Sequence, residues 1–216
     1  MPSGPFPVFK PNISDGEVSM LTDSFENGNY TSSPEWSVSG ESPIVSTNNP
    51  RTGTYSVTGD ETFGILTYTL PTPNNTTGVT WKAYFYPKTL SSGIIEYQLF
   101  DVTNNTYYRL QGLQLTDDLV SFEFRRQTGM SGTVTAVNAG GTAESDPPYP
   151  SGGYIDKYWE FSMTRTASGF TAKVTDGTNE YNLPELAFGD FDLVEEVRFR
   201  VDQHSHADDV DYDVQD

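Results

Sequence analysis

The sequence predicts an all-β protein, a two-sheet antiparallel jelly-roll sandwich, and three observations carry that prediction. Short segments alternate apolar and polar residues with the period of two that puts every second side chain on one face of a strand. Nineteen glycines and fourteen prolines punctuate these segments, so turns are frequent. No stretch carries the 3.6-residue apolar period of a helix of ordinary length. The 216 residues suit one large β domain, or a domain plus a tail. Hydrophobic content is low at 35%, and a 13% aromatic share compensates, because Phe, Tyr and Trp each bury a large area.

Residues 1–20 stand apart from the rest. Pro2, Pro5, Pro7 and Pro11 exclude a helix or a central strand and predict an extended N-terminal arm. Phe6, Val8, Phe9 and Ile13 give that arm apolar side chains with which to dock on a neighbouring subunit, a disordered tail being the alternative. The sandwich is expected over residues 21–216. Val18 to Phe25 predicts the opening strand, turned by Glu26-Asn27-Gly28. Trp36 with Val38, then Ile44-Val45, then Tyr55 to Thr58 predict three short strands separated by Gly40, by the turn from Asn48 to Gly53, and closed by Gly59-Asp60. Phe63 to Leu70 predicts a longer strand that Pro71 and Pro73 close. Val79 to Tyr86, rich in aromatics, predicts another that ends at Pro87.

Ile94 to Val102 and Thr106 to Leu115 flank Asn104-Asn105 as a hairpin. Leu119 to Arg126 and Met130 to Val137 predict two more strands, followed by a Gly- and Pro-rich loop from Ala139 to Gly153. Tyr158 to Arg165 and Phe170 to Thr175 flank Ala167-Ser168-Gly169 as a second hairpin, which Tyr181-Asn182-Leu183 extends. Leu186 to Phe191 reads as irregular or as a short helical turn. Two strands close the chain: Val197, Phe199 and Val201 alternate with Arg198, Arg200 and Asp202, and Val210, Tyr212 and Val214 alternate with Asp209, Asp211 and Asp213. The turn between them holds both histidines, His204 and His206.

Thirty acids against twelve bases give a formal net charge of −18. That balance argues against a nucleic-acid partner, because phosphate contacts need Lys and Arg. It keeps a surface hydrated, and with so few lysines it points to adaptation to high salt, where screening removes the self-repulsion. With no cysteine there is neither a disulfide nor thiol chemistry. The first residues carry no apolar signal-peptide core, and no apolar run approaches the roughly 20 residues of a membrane span. The expectation is synthesis in the cytoplasm and no membrane insertion.

Several segments, in order, resemble concanavalin A-like sandwiches of the laminin-G type. Ser24-Phe25-Glu26-Asn27-Gly28 with Trp36 resembles their opening. Arg51-Thr52-Gly53-Thr54-Tyr55-Ser56-Val57, Val79 to Phe85 and Tyr158 to Met163 resemble three of their strands. His206-Ala207-Asp208-Asp209-Val210-Asp211-Tyr212 resembles the terminal strand that pairs back against the opening one, here expected at Phe25-Glu26. In such jelly rolls a structural calcium sits where these two strands meet, so the resemblance implies Glu26, Asp208 and Asp209 as metal ligands. The acidic, tryptophan-spaced style also looks like virion proteins of tailed viruses of halophilic archaea.

Other constellations are less complete. Asp202, His204, His206 and Asp208 would share one face of a continuous strand and could converge on a transition metal, but no third histidine exists to complete a lactamase-type site. Asp190-Phe191-Asp192 with Glu195-Glu196 lacks the order and spacing of a glycosidase carboxylate pair. No catalytic residue is assigned and no enzyme activity is expected. Tyr84, Tyr86, Tyr97, Tyr107 and Tyr108 are candidates for sugar stacking; alternation sends Tyr107 and Tyr108 to opposite faces, so one of that pair at most is exposed. Arg125 and Arg126 split in the same way, one outward and one needing an acidic partner.

The reading that follows is a non-enzymatic structural or interaction protein. Its first form is a virion component (capsid decoration, turret or tail appendage) that presents a lectin-like sandwich and binds other virion proteins or copies of itself. The alternative is a carbohydrate-binding module that recognises host-surface glycans, on a virion or on a cell surface.

Overall fold

A computed structural model describes residues 22–23, 25–32, 35–48, 50–58, 63–87, 94–116, 119–129, 134–139, 157–202 and 205–214. Among them the strands run β1 Thr22–Asp23, β2 Ser37–Gly40, β3 Ile44–Ser46, β4 Ser56–Thr58, β5 Phe63–Asn74, β6 Val79–Pro87, β7 Ile94–Asp101 and β8 Thr106–Thr116. They continue as β9 Leu119–Thr128, β10 Val134–Ala139, β11 Trp159–Arg165, β12 Gly169–Thr175, β13 Glu180–Ala187, β14 Val194–Asp202 and β15 Ser205–Val214. Every pairing is antiparallel. An eight-stranded sheet has the order β13-β12-β11-β6-β15-β4-β3, with β1 also on β15; a seven-stranded sheet has the order β10-β9-β8-β7-β14-β5-β2. This is the all-β, two-sheet antiparallel sandwich that the alternation predicts.

Both inner faces supply the core. Trp81, Phe85, Phe161 and Phe170 from one sheet meet Tyr97, Tyr108, Phe122, Phe124 and Phe199 from the other, all fully buried. Aromatic rings make continuous contacts through it: Trp36 lies 5.0 Å from Phe199 edge-on, Phe85 lies 5.2 Å from Phe161, and Phe122 lies 5.5 Å from Trp159. Pairs of this kind contribute about 0.5–1.5 kcal/mol each beyond the area they bury, which is how a chain of low aliphatic content closes its core.

Three elements depart from the sequence reading. Phe25 and Glu26 are not in a strand: the opening pair is made by Thr22 and Asp23, whose partners are Asp211 and Val210. Phe25 turns the chain at φ 58°, its carbonyl accepting the Gly28 N–H at 2.9 Å, and the turn drops its ring between Trp36 and Phe199. The strand β5 runs through Pro71 and Pro73; β2 pairs only as far as Thr67 and the β14 register jumps from Thr69 to Asn74, so among the described pairings neither proline has a ladder partner and a missing N–H costs no ladder bond. Likewise Leu186 and Ala187 end β13, an edge strand that tolerates Pro184, and are not a helical turn.

The closing strand is central. β15 lies between β6 and the short strands β4 and β1, and it bulges between Asp208 and Asp211 against Tyr84 and Lys82. The extra residue keeps Ala207, Tyr212 and Val214 in register with the inward residues Phe85, Trp81 and Val79 on both sides of the bulge. β14, by contrast, belongs to the seven-stranded sheet. Asp202 and His206 therefore sit on different sheets, so the four-residue metal constellation does not share one strand face. His204 lies outside the described residues, as does the whole N-terminal arm with Phe6, Val8, Phe9 and Ile13.

Candidate functional site

The outward face of the seven-stranded sheet carries an ordered set of polar side chains. The meander β7, β8, β9 and the neighbouring β14 are in a register that lines their outward residues up in rows. One row reads Arg200, Glu96, Gln111, Glu123; the next Arg198, Gln98, Arg109, Arg125; the third Glu196, Phe100, Tyr107, Gln127. Four of the chain's seven arginines and three of its glutamates are here, so this face is close to neutral in a protein of net charge −18.

The rows are tied together by hydrogen bonds. Arg109 Nη1 donates to Glu96 Oε1 at 2.7 Å, and Gln98 Nε2 donates to the other Glu96 oxygen at 3.2 Å. Gln111 Nε2 donates to Glu123 Oε1 at 3.0 Å while its own oxygen accepts from Arg125 Nη2 at 3.2 Å. Arg125 Nε lies 2.7 Å from the same Glu123 oxygen but off its N–H direction, an ion contact without a hydrogen bond. Arg198 donates twice to Glu196 Oε2, at 2.9 and 2.5 Å, and its guanidinium stacks 3.7 Å over the Phe100 ring. Phe100 in turn stacks on Tyr107 with centroids 5.6 Å apart and planes within 11°, and the Tyr107 hydroxyl donates to Gln127 Oε1 at 2.7 Å.

Burial makes the network stiff. The Arg109–Glu96 side chains are 15% and 8% exposed although they point away from the core. Removing one partner of such a pair leaves an uncompensated charge out of water, so the pair is costly to break. Burial raises the Glu123 carboxyl above its ordinary range, with Arg109 opposing and Glu96 reinforcing the shift, and it raises the Tyr107 hydroxyl likewise. The result is a platform of planar guanidinium, amide and carboxylate groups, held in fixed rotamers beside a stacked aromatic pair.

Of the residues singled out in the sequence, Tyr107 is on this face and Tyr108 is not. Tyr108 is fully buried among Phe124, Phe170 and Phe191, and its hydroxyl donates to the carbonyls of Leu186 and Ala187 at 3.1 and 2.7 Å. Burial pushes that hydroxyl's pKa well above the usual tyrosine range. Tyr97 is also core, while Tyr84 is half-buried on the outer face of the other sheet, where its hydroxyl donates to Glu160 Oε2 at 2.7 Å. Arg125 and Arg126 split as expected, but the partner of Arg126 is the Ala187 carbonyl and not an acid. Apart from Arg125, weighed for its face, and Glu196, weighed in an incomplete carboxylate pair, the arginines, glutamines and glutamates of the platform escaped the sequence reading, which looked to aromatics for sugar contact. The signal was present: Glu96 and Gln98, Arg109 and Gln111, and Glu123, Arg125 and Gln127 occupy one parity of three successive strands.

Glu26 is a loop clamp. Its oxygens accept the Thr54 N–H at 2.9 and 2.8 Å and the Tyr55 N–H at 2.9 Å. Gly53, at φ 65°, makes room for it, since a Cβ there would fall 2.2 Å from the Glu26 carboxyl carbon. Asp208 precedes the bulge of β15 and Asp209 lies within it, and their side chains lie outside the described residues. Among the described residues no three His, Cys, Asp or Glu side chains gather in a metal-holding group.

No protein-family model matches this chain. No curated protein matches its sequence. Its structure is similar to a Bacillus subtilis protein of unknown function with a galectin-like fold, at TM-score 0.56 and 10% identity over 92% of this chain and 97% of that one. Weaker likenesses are to the carbohydrate-binding module CBM66 of Bacillus subtilis (TM-score 0.49, 9% identity, 82% and 92% covered) and to a tetrameric galectin of the sponge Cinachyrella (TM-score 0.49, 14% identity, 70% and 99% covered). The chain has a galectin-like jelly-roll sandwich fold.

Proposed function

We propose that this protein is a non-enzymatic glycan-binding module and that the outward face of β7, β8, β9 and β14 is its binding surface. The observation that carries the reading is the three-row platform itself. A saccharide presents hydroxyls that both donate and accept, at fixed spacings along a rigid ring. Guanidinium, amide and carboxylate groups side by side offer both halves of that pattern. The Phe100–Tyr107 pair adds an aromatic surface for the apolar C–H face of a sugar. Because the side chains already hold one another, little rotamer freedom remains to be lost on binding, which favours affinity.

A glycan array in molar salt, followed by calorimetry on the hits, tests this. We expect micromolar-range binding that weakens at least about tenfold, or about 1.4 kcal/mol, in Tyr107→Ala and Gln98→Ala. Unchanged affinity in both variants would move the site elsewhere, and an array with no hits would remove the reading.

As the setting we propose the surface of a virion made in its host's cytoplasm, or a cell surface, with residues 1–20 docking on other virion proteins or on copies of this chain. The acidity and the proline-spaced Phe6, Val8, Phe9 and Ile13 support it. Particles that incorporate a chain lacking residues 1–18 as well as the full one would refute the role of the arm.

A further inference from the structure

We propose a second saccharide site, on the opposite outer face, in the groove that crosses β6, β11, β12 and β13. It goes beyond the platform reading and uses none of its residues. The groove encloses about 370 Å³, within the range of roughly 300–1,000 Å³ of small-ligand sites. Its shape follows from the register. One row across the sheet is Lys82, Ser162, Lys173, Asn182, and the next is Thr80, Thr164, Thr171. Short hydroxyl side chains form the floor while the longer Lys82, Lys173 and Glu160 stand around it, so the sheet is hollow where its middle strands carry Ser and Thr.

The chemistry of the lining selects a neutral, polyhydroxylated ligand. Thr80 and Thr164 share a hydrogen bond at 2.8 Å, and Ser162 donates to the Lys173 carbonyl at 3.2 Å, so each hydroxyl keeps capacity for a further bond. The charges are already offset, two lysines against two glutamates: Lys173 faces Glu180 at 3.6 Å, and Glu160, which lines the groove with Lys82, accepts the Tyr84 hydroxyl. Asn182 is fixed by donating to Glu180 at 2.9 Å. An acidic sugar would meet no surplus of positive charge here and a net −18 beyond. Beyond the Glu160 end the Arg51 guanidinium lies 3.6 Å over the Tyr84 ring.

The test is a panel of neutral gluco-, galacto-, manno- and fructo-configured oligosaccharides, with a uronate series as control, titrated into the full chain and followed by calorimetry and backbone amide shifts. We expect a panel member that shifts the Ser162, Thr164 and Thr171 amides. Its binding there should weaken at least tenfold in Thr171→Trp, which fills the groove, and in Asn182→Ala, while Tyr107→Ala leaves it intact. Groove amides unmoved by every neutral member, or moved by uronates alone, would overturn the proposal. Binding retained in the groove but absent from the platform would uphold it and refute the platform reading, so the two fail separately.

Discussion

The outer faces of the two sheets are built by the same alternation and differ in what their polar side chains do to each other. On the seven-stranded sheet, long planar groups meet their opposites across neighbouring strands, and pairs such as Arg109–Glu96 sink to 15% and 8% exposure. On the eight-stranded sheet, the middle strands carry Ser162, Thr164 and Thr171, whose short side chains reach at most an adjacent hydroxyl or carbonyl and leave the sheet uncovered, and the charges stay at the rim, with Lys173 and Glu180 40% and 53% exposed. The first face is a filled, self-paired platform and the second a hollow. A surface fills where its side chains are long enough to cover the strands beneath them, and stays hollow where they are short.

The difference can be broken at several places. The largest effect is expected below the platform: Tyr108→Ala removes a fully buried ring and should cost about 3–5 kcal/mol of stability in urea unfolding, while Tyr107→Ala, one residue away on the outer face, should cost no more than about 1 kcal/mol. Equal costs would mean that the two faces of β8 are not distinct. Next, Glu96→Ala leaves the Arg109 guanidinium half-buried beside Glu123 alone and should cost about 3 kcal/mol; a loss below 1 kcal/mol would deny that the platform is stiff.

Glu26→Ala should lower stability by about 1 kcal/mol, because two backbone amides lose a charged acceptor and the Arg51 loop beside Tyr84 loosens. The loop-clamp role gives the same loss in calcium and in chelator. A melting temperature that falls on chelation in the wild type and not in Glu26→Ala would instead establish Glu26, with Asp208 and Asp209, as ligands of a structural calcium. The smallest effect is at the rim of the hollow, where Lys173→Ala should change stability by less than about 0.5 kcal/mol, since exposed ion pairs contribute little.

Most of the strands were legible, because a half-buried strand writes its burial into alternate residues. Val79 to Tyr86 and the hairpin around Asn104-Asn105 were read within a residue or two of β6, β7 and β8. The errors lie where a neighbour decides. Pro71 and Pro184 stop a strand only if both of its edges are paired, and edge exposure is a property of the sheet. Phe25 looks like strand because it is apolar, yet it is buried by a turn at positive φ. The platform was half legible: parity along each of three strands places its residues outward, but no local pattern says that those strands are neighbours.

By itself the sequence determined the fold class, the alternation of core and surface along each strand, and that Tyr107 and Tyr108 could not share a face. Those properties follow from chain geometry over a few residues. Only the tertiary structure decided that β14 and β15 part to different sheets, that four arginines meet three glutamates in register, and that Lys82, Ser162 and Lys173 frame a hollow. Those facts depend on strand order and register between segments as far apart in the chain as Thr22 and Asp211, and pairing across such distances is set by the packing of the whole core.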